Sequence, residues 1–225
     1  MCIRDRFAAV QATGAGLRRD FIEVENLQQS LRGAADFVSK AAKRIEESVI
    51  SDLELVRPFA GILTPNISQT GNGRDEFVLA LSGAKNFVRG IPQFAISLAL
   101  VTNGETKISM IYSPIDDKLY YAEAGNGAFI FSSYHSTRIG VSQLKNPKDL
   151  IIGLGSSESI SDSSNYRVSG CPAMDLAYVA SGKYDKFVSE LLDYAEICAG
   201  QMIVTEAGGQ ISEQDGKLVA SNKLI

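Results

Sequence analysis

The segment Asn86–Ser97 (NFVRGIPQFAIS) carries the clearest structural pattern in the chain. The apolar run Phe94–Val101, which begins within it, is typical of a buried strand or a short helix. Asn103-Gly104 follows that run and is a strong hairpin signal, and a second strand is predicted over Lys107–Tyr112. The segment therefore predicts part of an antiparallel meander.

Short apolar runs and tight turns continue on both sides of this segment. Phe77–Leu81 is predicted to be a buried strand before it. Lys118–Ala122 and Ala128–Phe131 are predicted to pair after it, around the turn residues Gly125-Asn126-Gly127. The meander is thus expected to occupy the middle of the chain.

Helices are predicted on either side of the meander. Apolar spacing of three and four residues indicates helices over residues 7–31 and 38–53. Ala173–Ala180 is a compact helix candidate, and Ala195–Ala207 is apolar nearly all round, which is typical of a buried helix. Short strands are predicted at residues 187–192, 210–212 and 218–220. This order of elements predicts an α/β (α+β layered) fold.

Composition excludes several classes of function. A formal net charge of −4 over 225 residues argues against a nucleic-acid surface, because phosphate binding depends on clustered Lys and Arg. No apolar run reaches the roughly 18 residues needed to cross a bilayer, and no signal peptide is evident. The three cysteines form no motif, which favours a reduced compartment. A cytoplasmic protein without nucleic-acid or membrane partners is predicted.

The first six residues, Met1–Arg6 (MCIRDR), resemble a translated sequencing adapter, and we expect them to be non-native. The chain 1–225 is otherwise predicted to form a single domain. Its meander half is expected at about 59–150 and its C-terminal α/β half at about 151–225.

Three colinear segments of the chain resemble the inositol monophosphatase family of bacterial type. They are Asn86–Ser97, Asp175–Asp185 (DLAYVASGKYD), and residues 199–209, where Ala-Gly precedes Glu-Ala-Gly-Gly. The resemblance extends from about Phe21 to Asn222. It implies an αβαβα sandwich with two sheets, magnesium-dependent hydrolysis of phosphate monoesters, and a possible homodimer.

The acidic residues with which that family holds magnesium are mostly missing here. Mg²⁺ requires carboxylate oxygens, and the bound ions polarise the phosphoryl group and activate a water. The family signature Asp-Pro-Leu-Asp-Gly-Thr falls on Leu79–Ala84 (LALSGA), so its two aspartates are replaced by Leu79 and Ser82, and its threonine by Ala84. Other acidic family positions are also neutral: Ala42, Pro65-Asn66 (or one residue away) and the vicinity of Ser189.

The family has a Trp-Asp pair that falls on Ala195-Glu196. Glu196 therefore stands in place of the aspartate and is the one acidic family position that is still acidic here. One carboxylate cannot hold two or three dications, because affinity depends on the charge of the ligand set. Asp193 lies three residues earlier and could share a single residual metal with Glu196. We therefore predict no catalytic residues and no cofactor, with magnesium only if residual activity survives.

Other polar residues offer alternative sites. Gly83, Lys85 and Arg89 could contact a small phosphorylated ligand without metal, although an exposed-turn role for the two basic residues is the simpler interpretation. Asp116-Asp117 is expected in a turn, with a relocated metal site as the alternative. His135 is expected in a surface loop, and Cys198 is expected to serve packing.

Two functions follow from this pattern. The first is an inactive pseudophosphatase with a scaffold or ligand-sensing role, because packing motifs are kept while metal ligands are lost. The second is a weak or altered magnesium-dependent phosphomonoesterase acting on inositol phosphate or a similar ester, with Glu196 as its carboxylate and Lys85 or Arg89 binding the anion.

Overall fold

The computed structural model describes residues 16–23, 43, 47–55, 57–132, 135–146, 148–155, 165–190 and 192–225. The predictions for residues 1–6 and for Ala42 lie outside the described residues. Residues 16–23 belong to helix α1 and residues 47–55 to helix α2, in agreement with the apolar spacing of those two segments.

A large sheet of eight strands follows these helices in the order β2-β1-β3-β4-β5-β6-β7-β8. Strands β3 to β8 pair antiparallel between chain neighbours, so the predicted meander is confirmed. The strands are β1 (Gly61–Leu63), β2 (Ser68–Gln69), β3 (Asp75–Ser82), β4 (Ala95–Thr102), β5 (Glu105–Ser113), β6 (Lys118–Glu123), β7 (Gly127–Ser132) and β8 (His135–Ile139).

Two features of this sheet differ from the predictions. β1 lies parallel to β3, and no hairpin signal in the sequence predicts this pairing. His135 begins the edge strand β8 and is not in a loop, although its side chain is exposed as expected. The predicted turn at Asn103-Gly104 is present, and both residues have positive φ.

A second sheet of five strands has the order β10-β9-β11-β13-β12 and mixes parallel and antiparallel pairs. Its strands are β9 (Ile152–Leu154), β10 (Tyr166–Arg167), β11 (Lys186–Glu190), β12 (Gln210–Gln214) and β13 (Lys217–Ser221). The other helices within the described ranges are the short α3 (Ala84–Val88), then α4 (Pro172–Ala180) and α5 (Tyr194–Glu206).

Strand β3 shows how the layers are arranged. Val78 and Ala80 pack in a core with α4, α5 and the second sheet. Phe77 and Leu79 pack on the opposite face, in a core that includes Leu17 of α1 and other residues of α1 and α2. Successive side chains of a strand point to opposite faces of the sheet, so this alternation shows that both faces of β3 are buried. The layers helix, sheet, helix and sheet are four of the five layers of the predicted αβαβα sandwich and include both of its sheets.

No helix within the described ranges is both long enough and apolar enough to cross a membrane.

Candidate functional site

The candidate site lies where β3 ends and α3 begins. Gly83 joins the two elements with φ 80°, a left-handed conformation that glycine adopts without steric cost. A Cβ at this position would lie 2.6 Å from the carbonyl oxygen of Gln93 and 3.2 Å from Cβ of Cys171. Both the backbone conformation and the lack of space therefore require glycine here.

Leu79 and Ser82, which replace the two signature aspartates, are not brought together. Leu79 is 1% exposed and lies in the apolar core on the α1 and α2 side of the sheet. Ser82 is fully buried on the other side, where its Oγ accepts a 3.2 Å hydrogen bond from the backbone N–H of Ala173 at the start of α4. The two side chains point to opposite faces of the sheet, as residues three apart in a strand must.

Glu196 lies in the first turn of α5 and is partly buried. Burial raises the pKa of its carboxyl group above the ordinary value, the negative charge of Asp193 raises it further, and the positive charge of Lys85 opposes both effects. Asp193 is the N-cap of α5, and its Oδ1 accepts a 2.8 Å hydrogen bond from the N–H of Ala195. The Asp193 side chain thus already has a structural role.

The remaining family positions that the structure describes also lack carboxylates. Pro65 is exposed in the turn after β1. Ser189 is fully buried in β11, and its Oγ has no hydrogen-bond partner within the described part of the chain. The backbone of Gly155 lies directly against it, since a Cβ on Gly155 would be 2.0 Å from that oxygen.

Comparison with known proteins identifies the family. A sequence model described as "Inositol monophosphatase family" matches residues 3–225. The chain belongs to the inositol monophosphatase family. An inositol-1-monophosphatase of Mesorhizobium japonicum is 35% identical over 244 residues, covering 96% of this chain and 90% of the relative.

Other relatives of this inositol monophosphatase family member have different names. The Nus factor SuhB of Xylella fastidiosa is 28% identical over 224 residues, covering 92% of this chain and 80% of that protein. The crystal structure of extragenic suppressor protein suhB from Bartonella henselae superposes with a TM-score of 0.86 and 30% identity, covering 99% of this chain and 94% of that one. The fold and family predicted from the sequence are confirmed.

The residues at the signature do not fit the magnesium that the inositol monophosphatase family implies. Leu79 contributes a methyl-bearing side chain to an apolar core, and the Ser82 hydroxyl is already bonded to a helix. Among the described residues, no group of three or more His, Cys, Asp and Glu side chains is arranged to hold a metal ion. A hard dication needs several oxygen ligands, and Glu196 supplies only one carboxylate.

The residues predicted to contact an anion lie close together in the chain, around α3. Lys85 and Arg89 are exposed, whereas Gly83 is buried against Gln93 and Cys171. The positive charge of the Lys85 ammonium opposes the rise in the pKa of Glu196, so Lys85 already interacts electrostatically with a carboxylate of the protein itself. Binding of an anion by these residues stays a prediction.

Asp116 and Asp117 lie in the turn between β5 and β6. Asp117 has φ 51° and accepts a 2.6 Å hydrogen bond from the hydroxyl of Tyr112. The Ser113 hydroxyl lies 3.5 Å from the Asp116 carboxylate, at one wall of a cavity of about 250 Å³ that also borders Tyr178 of α4. Both aspartates therefore have the turn role that the sequence predicts.

Sequence reasoning missed a polar cluster between α3 and α4. The Asn86 side-chain amide donates 2.8 Å hydrogen bonds to the carbonyl oxygens of Gln93 and Ser169. The Ser169 hydroxyl in turn donates to Asp175, which is completely buried in the first turn of α4. Burial raises the pKa of Asp175 to about 7, against the opposing effect of the Ser169 hydrogen bond. The sequence does contain one indication of this cluster, because Asp175 is a charged residue within an otherwise apolar helix.

Proposed function

We propose that this member of the inositol monophosphatase family is a catalytically inactive pseudophosphatase with a scaffold or ligand-sensing role. The observation that carries the proposal is the chemistry of the two signature positions, where Leu79 packs in an apolar core and the Ser82 hydroxyl is bonded to α4. Hydrolysis by the family route needs metal ions that polarise the phosphoryl group, and Glu196 alone does not provide a site for them.

The relatives have names of two kinds, since some are called inositol-1-monophosphatase and others Nus factor SuhB. Several matched proteins are called Nus factor SuhB, a name that describes a factor and not a hydrolase. The fold is therefore known under names of both kinds, and loss of the metal ligands is compatible with a scaffold role for this chain.

The proposal is tested by measuring Mg²⁺ binding with calorimetry and turnover of inositol phosphate and an aryl phosphate. The matched control is the Mesorhizobium japonicum inositol-1-monophosphatase, assayed side by side. We expect no saturable Mg²⁺ binding at millimolar concentrations and no magnesium-dependent turnover. Magnesium-dependent turnover that disappears in Glu196→Gln would overturn the proposal.

A weak or altered phosphomonoesterase is the second candidate, because Glu196 keeps its charge and Lys85 acts electrostatically on it. This candidate predicts that inorganic phosphate binds near Gly83 and that Lys85→Met weakens the binding. Arg89→Met tests the second predicted contact. If titration with phosphate leaves the NMR signals of residues 83–89 unchanged, this candidate fails.

Assembly and location stay predictions. The possible homodimer is tested by light scattering coupled to size-exclusion chromatography, with a mass near twice the 24.2 kDa chain as the expected result. The cytoplasmic location is tested by cell fractionation.

A further inference from the structure

A cavity of about 250 Å³ lies where the connection between α3 and β4, the turn between β5 and β6, and helix α4 meet. Met174 and Tyr178, one turn apart on α4, form one wall, and Phe94 at the end of the α3–β4 connection forms a second. Ser113 and Asp116 lie on the third wall, at the end of β5 and in the turn that follows it. Three separate elements therefore enclose one space.

Hydrogen bonds hold these walls in place. The Asn86 side-chain amide donates 2.8 Å bonds to the carbonyl oxygens of Gln93 and Ser169, which ties the α3–β4 connection to the segment before α4. The Tyr112 hydroxyl donates a 2.6 Å bond to Asp117 and so fixes the β5–β6 turn against β5. The cavity is therefore preformed by the fold, as most small-molecule sites are.

Asp116 brings a negative charge to this cavity. Its carboxylate accepts a long, 3.5 Å hydrogen bond from the Ser113 hydroxyl, and no Lys or Arg within the described ranges forms an ion pair with it. The neighbouring Asp117 differs, because it accepts from Tyr112 and lies 3.8 Å from the guanidinium group of Arg18. The charge of Asp116 is thus the one that a bound cation can neutralise.

A positive charge near the cavity is already engaged by the protein. The Lys183 ammonium donates a 3.0 Å hydrogen bond to the Tyr120 hydroxyl and lies 4.7 Å from the centre of the Tyr178 ring. A cation within about 6 Å of an aromatic face is attracted by it. Because Lys183 occupies this position, the positive group of a ligand is expected at Asp116, and a second positive charge on the ligand is disfavoured.

We propose that this cavity binds a small organic monoamine in its protonated form. Its ammonium group lies at Asp116 and Ser113, where the carboxylate provides charge and orientation. Its hydrocarbon part lies against apolar side chains of the walls, which are Phe94, Met174 and Ile115. Drug-sized ligands occupy roughly 300–1,000 Å³, so this cavity suits a smaller molecule. The inference rests on the proposed function, because it names a site and a ligand class for the ligand-sensing role.

The test uses benzylammonium as the probe, with benzyl alcohol and benzoate as neutral and anionic molecules of similar size. Each is titrated into the isotope-labelled full chain at neutral pH, and the backbone amide signals are followed by NMR. We expect saturable binding of benzylammonium in the millimolar range, with the largest shifts at Ser113, Asp116, Met174 and Tyr178. Benzyl alcohol and benzoate should bind clearly more weakly.

Two variants that each remove one negative charge from the same turn provide the matched comparison. Asp116→Asn should weaken benzylammonium binding roughly 3- to 30-fold, between the effect of an exposed ion pair and that of a charge-assisted hydrogen bond. Asp117→Asn should weaken it less than roughly 2-fold, because that carboxylate faces Tyr112 and Arg18. Ile115→Trp, at a position 36% exposed, narrows the cavity and should weaken binding without removing a charge.

The inference is wrong if the native protein shows no saturable shift, or if benzyl alcohol or benzoate binds as tightly as benzylammonium. It is also wrong if Asp117→Asn weakens binding as much as Asp116→Asn does. The amide spectrum of each variant without ligand shows whether it folds, and Ile115→Trp tests the site independently of the charge. Magnesium-dependent turnover would overturn the proposed function and leave amine binding intact, whereas absence of amine binding would leave the turnover result unchanged.

Discussion

The Ser169 hydroxyl donates a 2.6 Å hydrogen bond to one oxygen of the Asp175 carboxylate, while the other oxygen has no hydrogen-bond partner among the residues described. The carboxylate is completely buried. Desolvation penalises the charged form of an acid more than the neutral form, and a single hydroxyl only partly offsets that penalty. Burial accordingly raises the pKa of Asp175 to about 7 from the ordinary value of 3.8.

The first prediction is that Asp175→Asn changes the pH dependence of stability. Because the folded-state pKa is raised, the unfolded chain releases the Asp175 proton first as pH increases from about 4 to 7, and the folded state is progressively disfavoured. The asparagine side chain does not titrate, so the variant should gain stability relative to the native protein across that window, with an upper bound of about 4 kcal/mol. Denaturant unfolding at several pH values measures the difference.

Comparison of the two proteins at low pH provides the control for this prediction. Well below pH 4 both states of the native protein are protonated at this residue, and the advantage of the asparagine should vanish. Tyr184 also senses the charge of Asp175, but its pKa is raised to about 12, so it does not titrate in this range. Parallel stability curves for the two proteins would show that Asp175 is not buried as a neutral acid.

The second prediction concerns Glu206, at the end of α5. Its two carboxylate oxygens accept 2.8 Å hydrogen bonds from the backbone N–H groups of Gly125, in the turn between β6 and β7, and of Gly127, the first residue of β7. Hydrogen bonds to charged groups contribute more than neutral ones, so Glu206→Ala should lower the free energy of unfolding by about 2–4 kcal/mol for the pair.

The control for Glu206 is Glu213→Ala, an exposed glutamate on β12. Its truncation should change the free energy of unfolding by less than about 0.5 kcal/mol. Glu206→Gln should fall between the two, since an amide has one acceptor oxygen for two donors. Equal stabilities for Glu206→Ala and Glu213→Ala would mean that the hydrogen bonds from Glu206 to Gly125 and Gly127 do not stabilise the fold.

The third prediction is that Gly200→Ala destabilises the contact between α4 and α5. A Cβ at Gly200 would lie 2.5 Å from Cδ1 and 2.6 Å from Cβ of Leu176, which is far inside normal contact distance. Leu176 is fully buried, and its Cβ cannot rotate away. Overpacking of this kind typically costs about 1–3 kcal/mol, measurable by thermal or denaturant unfolding.

A double-mutant cycle separates this steric effect from the helix propensity of alanine, which alone would stabilise a helix. In the background of Leu176→Ala the clashes with Cδ1 and Cγ are absent while the 2.6 Å approach to Cβ remains, so Gly200→Ala should cost part of what it costs in the native protein. The same cost in both backgrounds would mean that the Leu176 side chain beyond Cβ does not obstruct a methyl group at position 200.

The strands of the meander could be predicted because their signals are local. Asn103-Gly104 specifies a turn within a few residues, and both residues have the positive φ that such a turn requires. The pairing of β1 with β3 is parallel and depends on contacts between segments that no tight turn connects. No short-range pattern reports such a pairing, so it was found only in the structure.

The positions of the candidate site were predicted from the sequence, but the orientations and long-range partners of their side chains were not. Counting from family motifs singled out positions 79, 82 and 196 in the sequence. Ending the predicted strand at Leu81 hid the fact that β3 continues to Ser82, which sets the opposite orientations of positions 79 and 82. The bond between Ser82 and Ala173 spans the two halves of the chain, and a lone serine gives no indication of such a partner.

The last prediction is that Leu79→Asp cannot rebuild a metal site. Leu79 is packed among buried apolar side chains that include Phe77 and Phe87, on the side of the sheet away from α4. Leu79→Ala should cost about 2–5 kcal/mol through loss of packing. Leu79→Asp should cost more, because it adds a carboxylate with no partner to an apolar core. Leu81→Asp, at a partly buried position two residues along the same strand, should be tolerated better.

Denaturant unfolding with and without millimolar Mg²⁺ decides this prediction. A ligand that binds only the folded state stabilises it, so a rebuilt site would appear as magnesium-dependent recovery of Leu79→Asp. We expect none in Leu79→Asp, because Ser82 stays bonded to α4 and Glu196 is the only other carboxylate at the family positions that the structure describes. Recovery by Mg²⁺ in Leu79→Asp alone would contradict this prediction, whereas recovery only when Leu79→Asp is combined with Ser82→Asp would show that both signature carboxylates are needed beside Glu196.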